Sequence, residues 1–354
     1  MPTNEQKIRV LIVDDSFLMR RLLTDILNSD KEITVVGSAK NGEDAIKKIR
    51  LFKPNVVTMD YHLPDMSGAD ITRKILSKKS LLPVVIMVSA YTKKDAKETL
   101  ESLDAGAVDY IEKPSGEVSL DLDSVKESII KKVKELSKVG MNGPVRPTVQ
   151  KKKKKKRPKT IYSIVIGAST GGPVMLEDTI SHLSINIDLP IFIVQHMSKH
   201  FTAELAKRLN SKTDVPVLEI SDGMHIQPGT VYVMPGGYHL LSFRNTRDGK
   251  KSELIARIEK RTSKNGNCPS IDEVMCAVAK QYGSRVLAVV LSGMGKDSVE
   301  GVTAIKKEGG YCITQDPSTA LIASMPNAII EKGLADEILS PKEITQAIKE
   351  IARK

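Results

Sequence analysis

The chain has 354 residues, too many for one ordinary hydrophobic core, so its length favours two domains. It has neither a signal-peptide pattern at its start nor an apolar run near the roughly 20 residues of a membrane span, which predicts a cytoplasmic protein without membrane insertion. Its net charge of +11 is concentrated, since eight positive charges lie between Lys151 and Lys159, and the absence of tryptophan for base stacking argues against a nucleic-acid partner.

Short apolar segments alternate with amphipathic helical patterns from Lys7 to Lys138. Continuous valine and isoleucine runs, rather than polar alternation, are typical of strands that helices cover on both faces. Residues 1–136 are therefore predicted to form an α/β domain around a parallel sheet. The predicted strands are IRVLIV, ITVVGSA, NVVTMD, PVVIMVSA and VDYIEKP.

Polar side chains follow four of these strands. Asp14 and Asp15 end the first strand, Asp60 the third and Ser89 the fourth, and Lys113 follows the fifth. In an open parallel sheet, functional groups gather at the carboxyl ends of the strands, so these five residues are expected at one edge. Three carboxylates suit a Mg²⁺ ion that keeps several waters and accepts phosphate oxygens. The set predicts a phosphoryl-binding site.

The motifs VDDS, TMDYHLPDMSG, MVSA and DYIEKP resemble the receiver domain of two-component response regulators, over about 130 residues. The resemblance implies a flavodoxin-like, doubly wound parallel sheet. The family often has an acidic residue and methionine where this chain has His62 and Leu63, which leaves the acceptor position intact. The implied roles are phosphate acceptor for Asp60, Mg²⁺ ligands for Asp14, Asp15 and Asp60, phosphoryl contacts for Ser89 and Lys113, and switch aromatic for Tyr110.

Residues 137–160 differ in composition from both flanking parts. They are rich in glycine, proline and lysine and have no apolar period, so they are predicted to be a flexible linker. The run Lys151–Lys156 fits a solvated tether, because like charges repel one another. An anionic partner for the run is the alternative.

A second set of apolar segments begins after the linker: YSIVIG, LPIFIVQH, RVLAVVLSG and GGYCIT. They predict a second doubly wound, mainly parallel α/β domain over residues 161–354. Residues 215–245 are denser in turns and in alternation, which indicates a small antiparallel insert. A helix with Pro341 near its first turn closes the chain.

The stretch SIVIGASTGGP, Ser163–Pro173, leads a strand into a glycine-rich turn. Pro173 stands where a phosphate-binding P-loop needs lysine, so that interpretation fails. The same residues contain G-x-S-x-G between a strand and a predicted helix, an arrangement that exposes a serine nucleophile on a sharp turn. Ser169 is therefore the candidate nucleophile.

A serine nucleophile needs a base and a group that orients the base. His196 ends a predicted strand and is the best candidate. His200 has no evident metal partners, and His239, in the insert, fits a structural role or the rim of the substrate site. Asp297 follows another strand and is the candidate orienting acid.

Two further features of the sequence bear on this site. Gly293 and Gly295, in the loop before the candidate acid, allow backbone amides to face an oxyanion. The spacing of Cys268, Cys276 and Cys312 indicates neither a disulfide framework nor a zinc site.

The chain order serine, histidine, aspartate differs from that of α/β-hydrolases. The second domain contains the motifs IGASTGGP, VQHM, MPGGYHL, PSIDEVM, LSGMGKD and TQDPSTALIASMPNAI. Through these motifs, residues 161–351 instead resemble the catalytic domain of the chemotaxis protein-glutamate methylesterase family, CheB. Ser298 stands where this family usually has glycine, which could strain the turn, and Cys268 stands where a basic residue is common, which could alter substrate contact. The implied roles are nucleophile for Ser169, base for His196, orienting acid for Asp297 and oxyanion donor for the Met294 amide.

Together the two resemblances imply a phosphorylation-activated esterase that removes methyl groups from glutamyl esters on methyl-accepting chemotaxis receptors and deamidates receptor glutamines. A chemotaxis histidine kinase would be the phosphodonor, Mg²⁺ the receiver's cofactor, and the esterase reaction would need none. The unphosphorylated receiver would cover the active-site face. A relay regulator whose second domain only binds is disfavoured by the strand-end triad, and a DNA-binding output by the lack of a helix-turn-helix pattern.

Overall fold

A computed structural model of the chain describes residues 7–77, 83–90, 92–113, 122–142, 157–158, 160–183, 187–248, 251–260 and 267–352. The chain divides into two compact units, Met1–Gly143 and Pro144–Lys354. Each unit has its own parallel sheet with buried central strands.

The first unit contains a five-stranded sheet whose strands are β1 (Ile8–Val13), β2 (Ile33–Ala39), β3 (Val56–Asp60), β4 (Val84–Ser89) and β5 (Asp109–Glu112). The strand order is β2-β1-β3-β4-β5, and every neighbouring pair is parallel. This is the flavodoxin-like order, so the predicted doubly wound receiver sheet is confirmed. Side chains that follow β1, β3, β4 and β5 consequently share the carboxyl edge.

Polar caps start most of the helices in this unit. The side chains of Ser16, Asn41, Ser67 and Thr92 each accept a hydrogen bond from the backbone N–H three residues later, which satisfies a donor that the first turn leaves free. The helices are α1 (Phe17–Asn28), α2 (Gly42–Phe52), α3 (Gly68–Leu76), α4 (Lys93–Asp104) and α5 (Leu122–Asn142).

The predicted start of the linker at residue 137 is wrong, because α5 continues to Asn142. Val133, Leu136 and Ser137 are all buried, so the packed stripe of the helix extends past the expected boundary.

The run Lys151–Lys156 lies outside the described residues. Near the far end of the predicted linker, Arg157 forms ion pairs with Glu337 and Glu350. Its Nε lies 2.6 Å from Glu337 Oε1, and its Nη1 lies 2.9 Å from Glu350 Oε2.

The strands of the second unit are β6 (Ser163–Ala168), β7 (Ile191–Gln195), β8 (Val217–Glu219), β9 (His225–Ile226), β10 (Val231–Val233), β11 (His239–Asp248), β12 (Lys251–Glu259), β13 (Val286–Val290), β14 (Tyr311–Gln315) and β15 (Glu337–Leu339). Seven of them form a parallel sheet in the order β15-β14-β13-β6-β7-β10-β8. The mainly parallel sheet predicted for the second domain is thus confirmed. The chain leaves β6 toward β7 on one side and returns to β13 on the other, so β6 lies at the switch point where ligands bind in such sheets.

The predicted antiparallel insert is only partly correct. β9, β11 and β12 form a small antiparallel sheet, whereas β8 and β10 join the main sheet in parallel register. Val231 and Val233 are fully buried in that sheet, and burial of these short strands outweighs the turn-rich composition around them.

The helices of the second unit are α6 (Gly172–Ser181), α7 (Lys199–Asn210), α8 (Ile271–Tyr282), α9 (Val299–Lys307), α10 (Ser324–Glu331) and α11 (Pro341–Ala352). The last of these begins at Pro341, as predicted, since proline lacks an N–H that the first turn would leave unbonded. In the part of the chain that the structure describes, no helix combines the length and apolarity required to cross a membrane.

Candidate active site and phosphorylation site

Ser169 lies in the turn between β6 and α6, at the carboxyl end of the central strand. Gly171 has a φ of 78° and caps the helix, with Pro173 in the first turn. A Cβ on Gly172 would overlap the Gln195 side chain, whose Nε2 donates to the Ser169 carbonyl at 2.9 Å. The glycines therefore permit both the sharp turn and the contact that holds it.

The neighbouring strands supply the two other candidate residues. Ala168 pairs with Gln195, so Ser169 and His196 directly follow paired positions, and Asp297 lies in the loop between β13 and α9. His196 Nδ1 is 3.2 Å from Ser169 Oγ, and His196 Nε2 is 2.7 Å from Asp297 Oδ2. The structure thus brings the three residues into one hydrogen-bonded chain.

The Asp297 carboxylate is held by the N-terminus of α8. Its oxygens accept hydrogen bonds from Ser270 Oγ and from the backbone N–H groups of Ile271 and Asp272, at 2.9 to 3.0 Å. Burial opposes ionisation, but the bond to His196 and these amides together lower the pKa of Asp297 well below its usual range. A fixed negative charge therefore faces the imidazole.

The loop after β13 brings a backbone donor to the site. The Gly293 N–H is bonded to the Ile322 carbonyl at 3.0 Å, so it is not available to an oxyanion. The Met294 N–H donates to no acceptor among the described residues, and Met294 is half-buried. The geometry favours Met294 over Gly293 as the donor.

The other residues weighed from the sequence lie apart from this chain of bonds. His200 lies in the first turn of α7, and the groups of described residues that could hold a metal include neither it nor His196. His239 is fully buried, which favours the structural role over the rim of the substrate site; its Nδ1 lies 3.1 Å from Glu273 Oε2, although neither ring nitrogen makes a well-formed hydrogen bond with the described residues.

The two departures from the family pattern have different outcomes. The φ of Ser298 is 162°, near the extended value and outside the left-handed region that favours glycine, so the expected strain is not found. Cys268 is half-buried and precedes the start of α8, and its neighbour Asn267 places Nδ2 3.4 Å from Asp297 Oδ2. The effect of Cys268 on substrate contact stays a prediction. Cys268, Cys276 and Cys312 form no disulfide.

In the first unit, Lys113 joins two carboxylates at the carboxyl edge. Its Nζ lies 2.8 Å from Asp60 Oδ2 and 3.1 Å from Asp14 Oδ2. Burial raises the pKa of Asp60, the Lys113 ammonium opposes that rise, and the charges of Asp14 and Asp15 add to it. Burial alone would lower the pKa of Lys113, but the ion pairs with Asp60 and Asp14 raise it above its usual value.

Oxygen atoms of Asp14, Asp15 and Asp60 lie within 4.8 Å of one another. Asp14 Oδ2 is buried and accepts no well-formed hydrogen bond from the described residues, although the Lys113 ammonium is near. A small divalent cation fits this donor set, because it would satisfy the oxygen and offset the repulsion among the carboxylates.

Ser89 and Tyr110 lie in the same sheet, on β4 and β5. Ser89 is buried, and its Oγ accepts a hydrogen bond from Thr99 Oγ1 at 2.7 Å. Tyr110 is also buried, with the Lys132 ammonium 5.3 Å from its ring centroid. Ser89 on β4 pairs with Glu112 on β5, the residue that precedes Lys113.

Sequence reasoning missed the residues that hold Asp297, namely Ser270, Asp272 and Asn267. A serine followed three residues later by glutamate, as in SIDE, is the signal of a capped helix start, and it correctly marks the N-terminus of α8. Nothing in that signal tells which carboxylate the helix start will face.

Comparisons with known proteins cover both units. The CheB methylesterase model matches residues 164–348, and the response regulator receiver domain model matches residues 10–122. Relatives named protein-glutamate methylesterase/protein-glutamine glutaminase come from Syntrophomonas wolfei, 39% identical over 96% of this chain and 98% of the relative, and from Pyrococcus abyssi, 39% identical over 98% and 94%. The crystal structure of the Thermotoga maritima CheB methylesterase catalytic domain is 36% identical, with a TM-score of 0.51, over 54% of this chain and 99% of that one. The chain therefore belongs to the CheB methylesterase family of hydrolases and has a response regulator receiver domain before its methylesterase domain.

Proposed function

We propose that this chain is a phosphorylation-activated protein-glutamate methylesterase that hydrolyses glutamate methyl esters on methyl-accepting chemotaxis receptors, and that it also deamidates receptor glutamines. The observation that carries the proposal is the bonded chain from Ser169 through His196 to Asp297 at the switch point of the sheet. The names of its full-length relatives, protein-glutamate methylesterase/protein-glutamine glutaminase, support the two reactions. The chain acts in the cytoplasm.

The first half of the reaction forms an acyl-enzyme. Ser169 Oγ attacks the ester carbonyl carbon while His196 Nδ1 takes the hydroxyl proton. The carbonyl oxygen becomes an oxyanion that accepts a hydrogen bond from the Met294 N–H. The carbon–oxygen bond to the methoxy group then breaks, and the proton on His196 goes to the leaving oxygen, which departs as methanol.

The second half regenerates the serine. His196 takes a proton from water, the resulting hydroxide attacks the acyl carbon, and the proton returns to Ser169 Oγ as glutamate leaves. Asp297 stabilises the imidazolium in both halves, and the α8 amides keep Asp297 ionised and oriented. A glutamine side chain follows the same path, with ammonia as the leaving group.

The receiver controls this reaction through Asp60. A histidine kinase is the phosphodonor, and the Asp60 carboxylate accepts the phosphoryl group. Asp14, Asp15 and Asp60 would hold Mg²⁺, which would offset the negative charge of the incoming phosphoryl group. Lys113 and Ser89 then contact the added phosphoryl oxygens, and Tyr110 repacks, so that access to Ser169 increases.

The direct test is release of labelled methanol from receptor membranes whose glutamates carry labelled methyl esters. We expect release by the unmodified chain, an increase on adding a small acyl-phosphate donor with Mg²⁺, and none with Ser169→Ala. Release that is unaffected by Ser169→Ala would overturn the assignment of the site. Hydrolysis of simple esters but not of receptor esters would overturn the substrate.

A further inference from the structure

A histidine and two carboxylates lie together where the segment after β3 meets α4. Asp95 and Glu98 are three residues apart in α4, so they lie on the same face of that helix. His62 comes from the segment after β3, and its Nε2 lies 3.3 Å from Asp95 Oδ1 and 2.8 Å from Glu98 Oε2. Receiver domains often have an acidic residue at this position, so the imidazole is a departure of this chain from the family pattern.

A single ion pair does not account for the contacts of His62. An imidazole Nε2 carries at most one hydrogen, and here it faces two carboxylate oxygens. The nearer of them, Glu98 Oε2, is buried, yet it accepts no well-formed hydrogen bond from the described residues. The three atoms thus converge with at most one hydrogen to share, an arrangement that a bound cation would complete.

The other oxygen of each carboxylate is engaged elsewhere. Asp95 Oδ2 accepts a hydrogen bond from the hydroxyl of Thr92, the residue that caps α4. Glu98 Oε1 lies 3.8 Å from the exposed Lys94 ammonium. These contacts leave Asp95 Oδ1 and Glu98 Oε2 to face His62.

The spacing and type of the three atoms suit a transition-metal ion. They all lie within 4.8 Å of one another and form one of two groups, among the residues that the structure describes, that could hold a cation. Zn²⁺ binds imidazole nitrogen and carboxylate oxygen at about 2.0 to 2.2 Å, so its tetrahedral ligand atoms stand about 3.4 Å apart. Both contacts of His62 are close to that separation. The other group offers carboxylates alone, which suit Mg²⁺, whereas an imidazole favours Zn²⁺.

The histidine lies on the solvent side of the group. The His62 side chain is 50% exposed, whereas those of Asp95 and Glu98 are each 15% exposed. The Tyr61 ring stands edge-on to the His62 ring, with the centroids 5.2 Å apart. Rotation of the exposed imidazole would admit a cation, and water could complete its coordination.

We propose that His62, Asp95 and Glu98 form a second cation site in the receiver unit and that this site binds Zn²⁺. The ion links the segment after the candidate phosphate acceptor to α4. The same helix is bonded to Ser89, because Thr99 Oγ1 donates a hydrogen bond to Ser89 Oγ at 2.7 Å. Zn²⁺ therefore restrains α4 beside the phosphorylation site. The inference does not depend on the esterase reaction.

The test is calorimetric titration of the full chain with Zn²⁺, at a Mg²⁺ concentration that saturates the carboxylates of Asp14, Asp15 and Asp60. We expect a saturable Zn²⁺ site that Mg²⁺ does not displace. His62→Ala and Glu98→Gln should each weaken this site by about 100-fold or more, because loss of even an outer partner of a metal ligand typically costs about 10- to 100-fold in affinity.

Two variants control for Zn²⁺ binding at other positions. His225→Ala removes an exposed histidine that also pairs with a carboxylate, since His225 Nδ1 lies 3.1 Å from Glu253 Oε2. His225 belongs to neither of the two groups that could hold a cation. Asp60→Asn weakens the Mg²⁺ site. Neither variant should change the affinity for Zn²⁺.

Hydrogen exchange locates the bound ion. Zn²⁺ should slow exchange of the α4 amides in the unmodified chain and leave it unchanged in His62→Ala, because a ligand that ties α4 to a neighbouring segment opposes its local opening. Protection of other amides, with none on α4, would place the ion elsewhere and overturn the inference.

The titration can also contradict the proposal. The inference is wrong if the unmodified chain shows no saturable Zn²⁺ binding, or if His62→Ala and Glu98→Gln leave the affinity unchanged. It is equally wrong if His225→Ala weakens binding as much as His62→Ala does. If His62→Ala fails to fold, Glu98→Gln decides, because glutamine keeps the shape of the glutamate side chain and removes only its charge.

Discussion

Gly293 lies so close to Ser169 that a Cβ on Gly293 would stand 2.8 Å from the Ser169 Cβ. The same atom would overlap Met325 Sδ, and Met325 is fully buried. The loop that contributes Asp297 and Met294 thus packs directly against the candidate nucleophile. We therefore expect packing at this contact to influence the distance between Ser169 Oγ and the Met294 N–H, the candidate oxyanion donor.

Gly293→Ala should reduce both stability and turnover. Overpacking a filled core typically costs about 1 to 3 kcal/mol, and movement of the loop away from Ser169 would lower kcat more than it raises KM. The control is Gly333→Ala, where φ is 68° and nothing lies within 4 Å. Gly333→Ala strains the backbone at a position distant in sequence from Ser169 and should leave kcat unchanged. Equal loss of kcat in both variants would contradict the packing argument.

Ser169→Ala should abolish methanol release while leaving the fold intact, because it removes a single hydroxyl from a turn. Loss of a triad member typically costs about 10⁴-fold or more in rate. Adding His196→Ala to Ser169→Ala should lower the rate no further, since the residues act as a unit. Single and double variants are compared by labelled-methanol release and by thermal unfolding. An additive loss in the double variant would show that His196 acts independently.

The candidate triad was predictable because it depends on strand ends. Apolar runs mark β6, β7 and β13, and parallel pairing brings their carboxyl ends to one edge of the sheet. Ser169 and His196 then have to be neighbours, whatever their separation along the chain, and Asp297, in the loop that follows β13, is expected at the same edge. The same reasoning placed Asp14, Asp60 and Lys113 together in the first unit.

The groups that surround Asp297 could not be predicted in this way. The start of α8 meets the loop before α9 only because Gly301 allows two helices to approach closely, and no local pattern encodes that contact. The strands β8 and β10 have three residues each, too few to show a period. Their place in the main sheet depends on long-range pairing, of β10 with β7 and of β8 with β10.

Ser298→Ala should stabilise the protein. The Ser298 side chain is fully buried, and its Oγ has no hydrogen-bond partner among the described residues. An unsatisfied buried hydroxyl costs about 1 to 3 kcal/mol, so removing it should raise the free energy of unfolding by about 1 kcal/mol. Chemical denaturation of the two proteins measures the difference. Ser292→Ala is the control, because Ser292 Oγ donates to the Thr170 carbonyl at 2.8 Å, and its loss should destabilise. Destabilisation by Ser298→Ala would mean that the hydroxyl is bonded.

Asp60→Asn should stabilise the receiver when Mg²⁺ is absent. The pKa of Asp60 is raised on folding, so its favourable contribution is complete below the unfolded pKa and is lost as pH rises through the folded pKa. At neutral pH the ionised side chain is therefore unfavourable, and asparagine removes that charge. Thermal unfolding at several pH values should show the gain near pH 7 and its disappearance in acid. Added Mg²⁺ should stabilise the unmodified chain more than the variant. Equal stabilisation by Mg²⁺ would place the ion away from Asp60.

The last prediction concerns control of the esterase by the receiver. A ligand or modification shifts an equilibrium only through a difference in its interaction with the two states, and a phosphoryl group adds about two negative charges beside Lys113. With Asp60→Asn, methanol release should stay at the basal rate when an acyl-phosphate donor is added, whereas release by the unmodified chain should increase. A bias of about 1.4 kcal/mol toward the accessible state would change the ratio of accessible to inaccessible molecules tenfold.

Asp15→Asn, which keeps the acceptor but weakens the Mg²⁺ site, should respond only at higher Mg²⁺ concentration. If the donor activates Asp60→Asn as strongly as the unmodified chain, Asp60 is not the acceptor; if it activates neither, the receiver does not control access to Ser169.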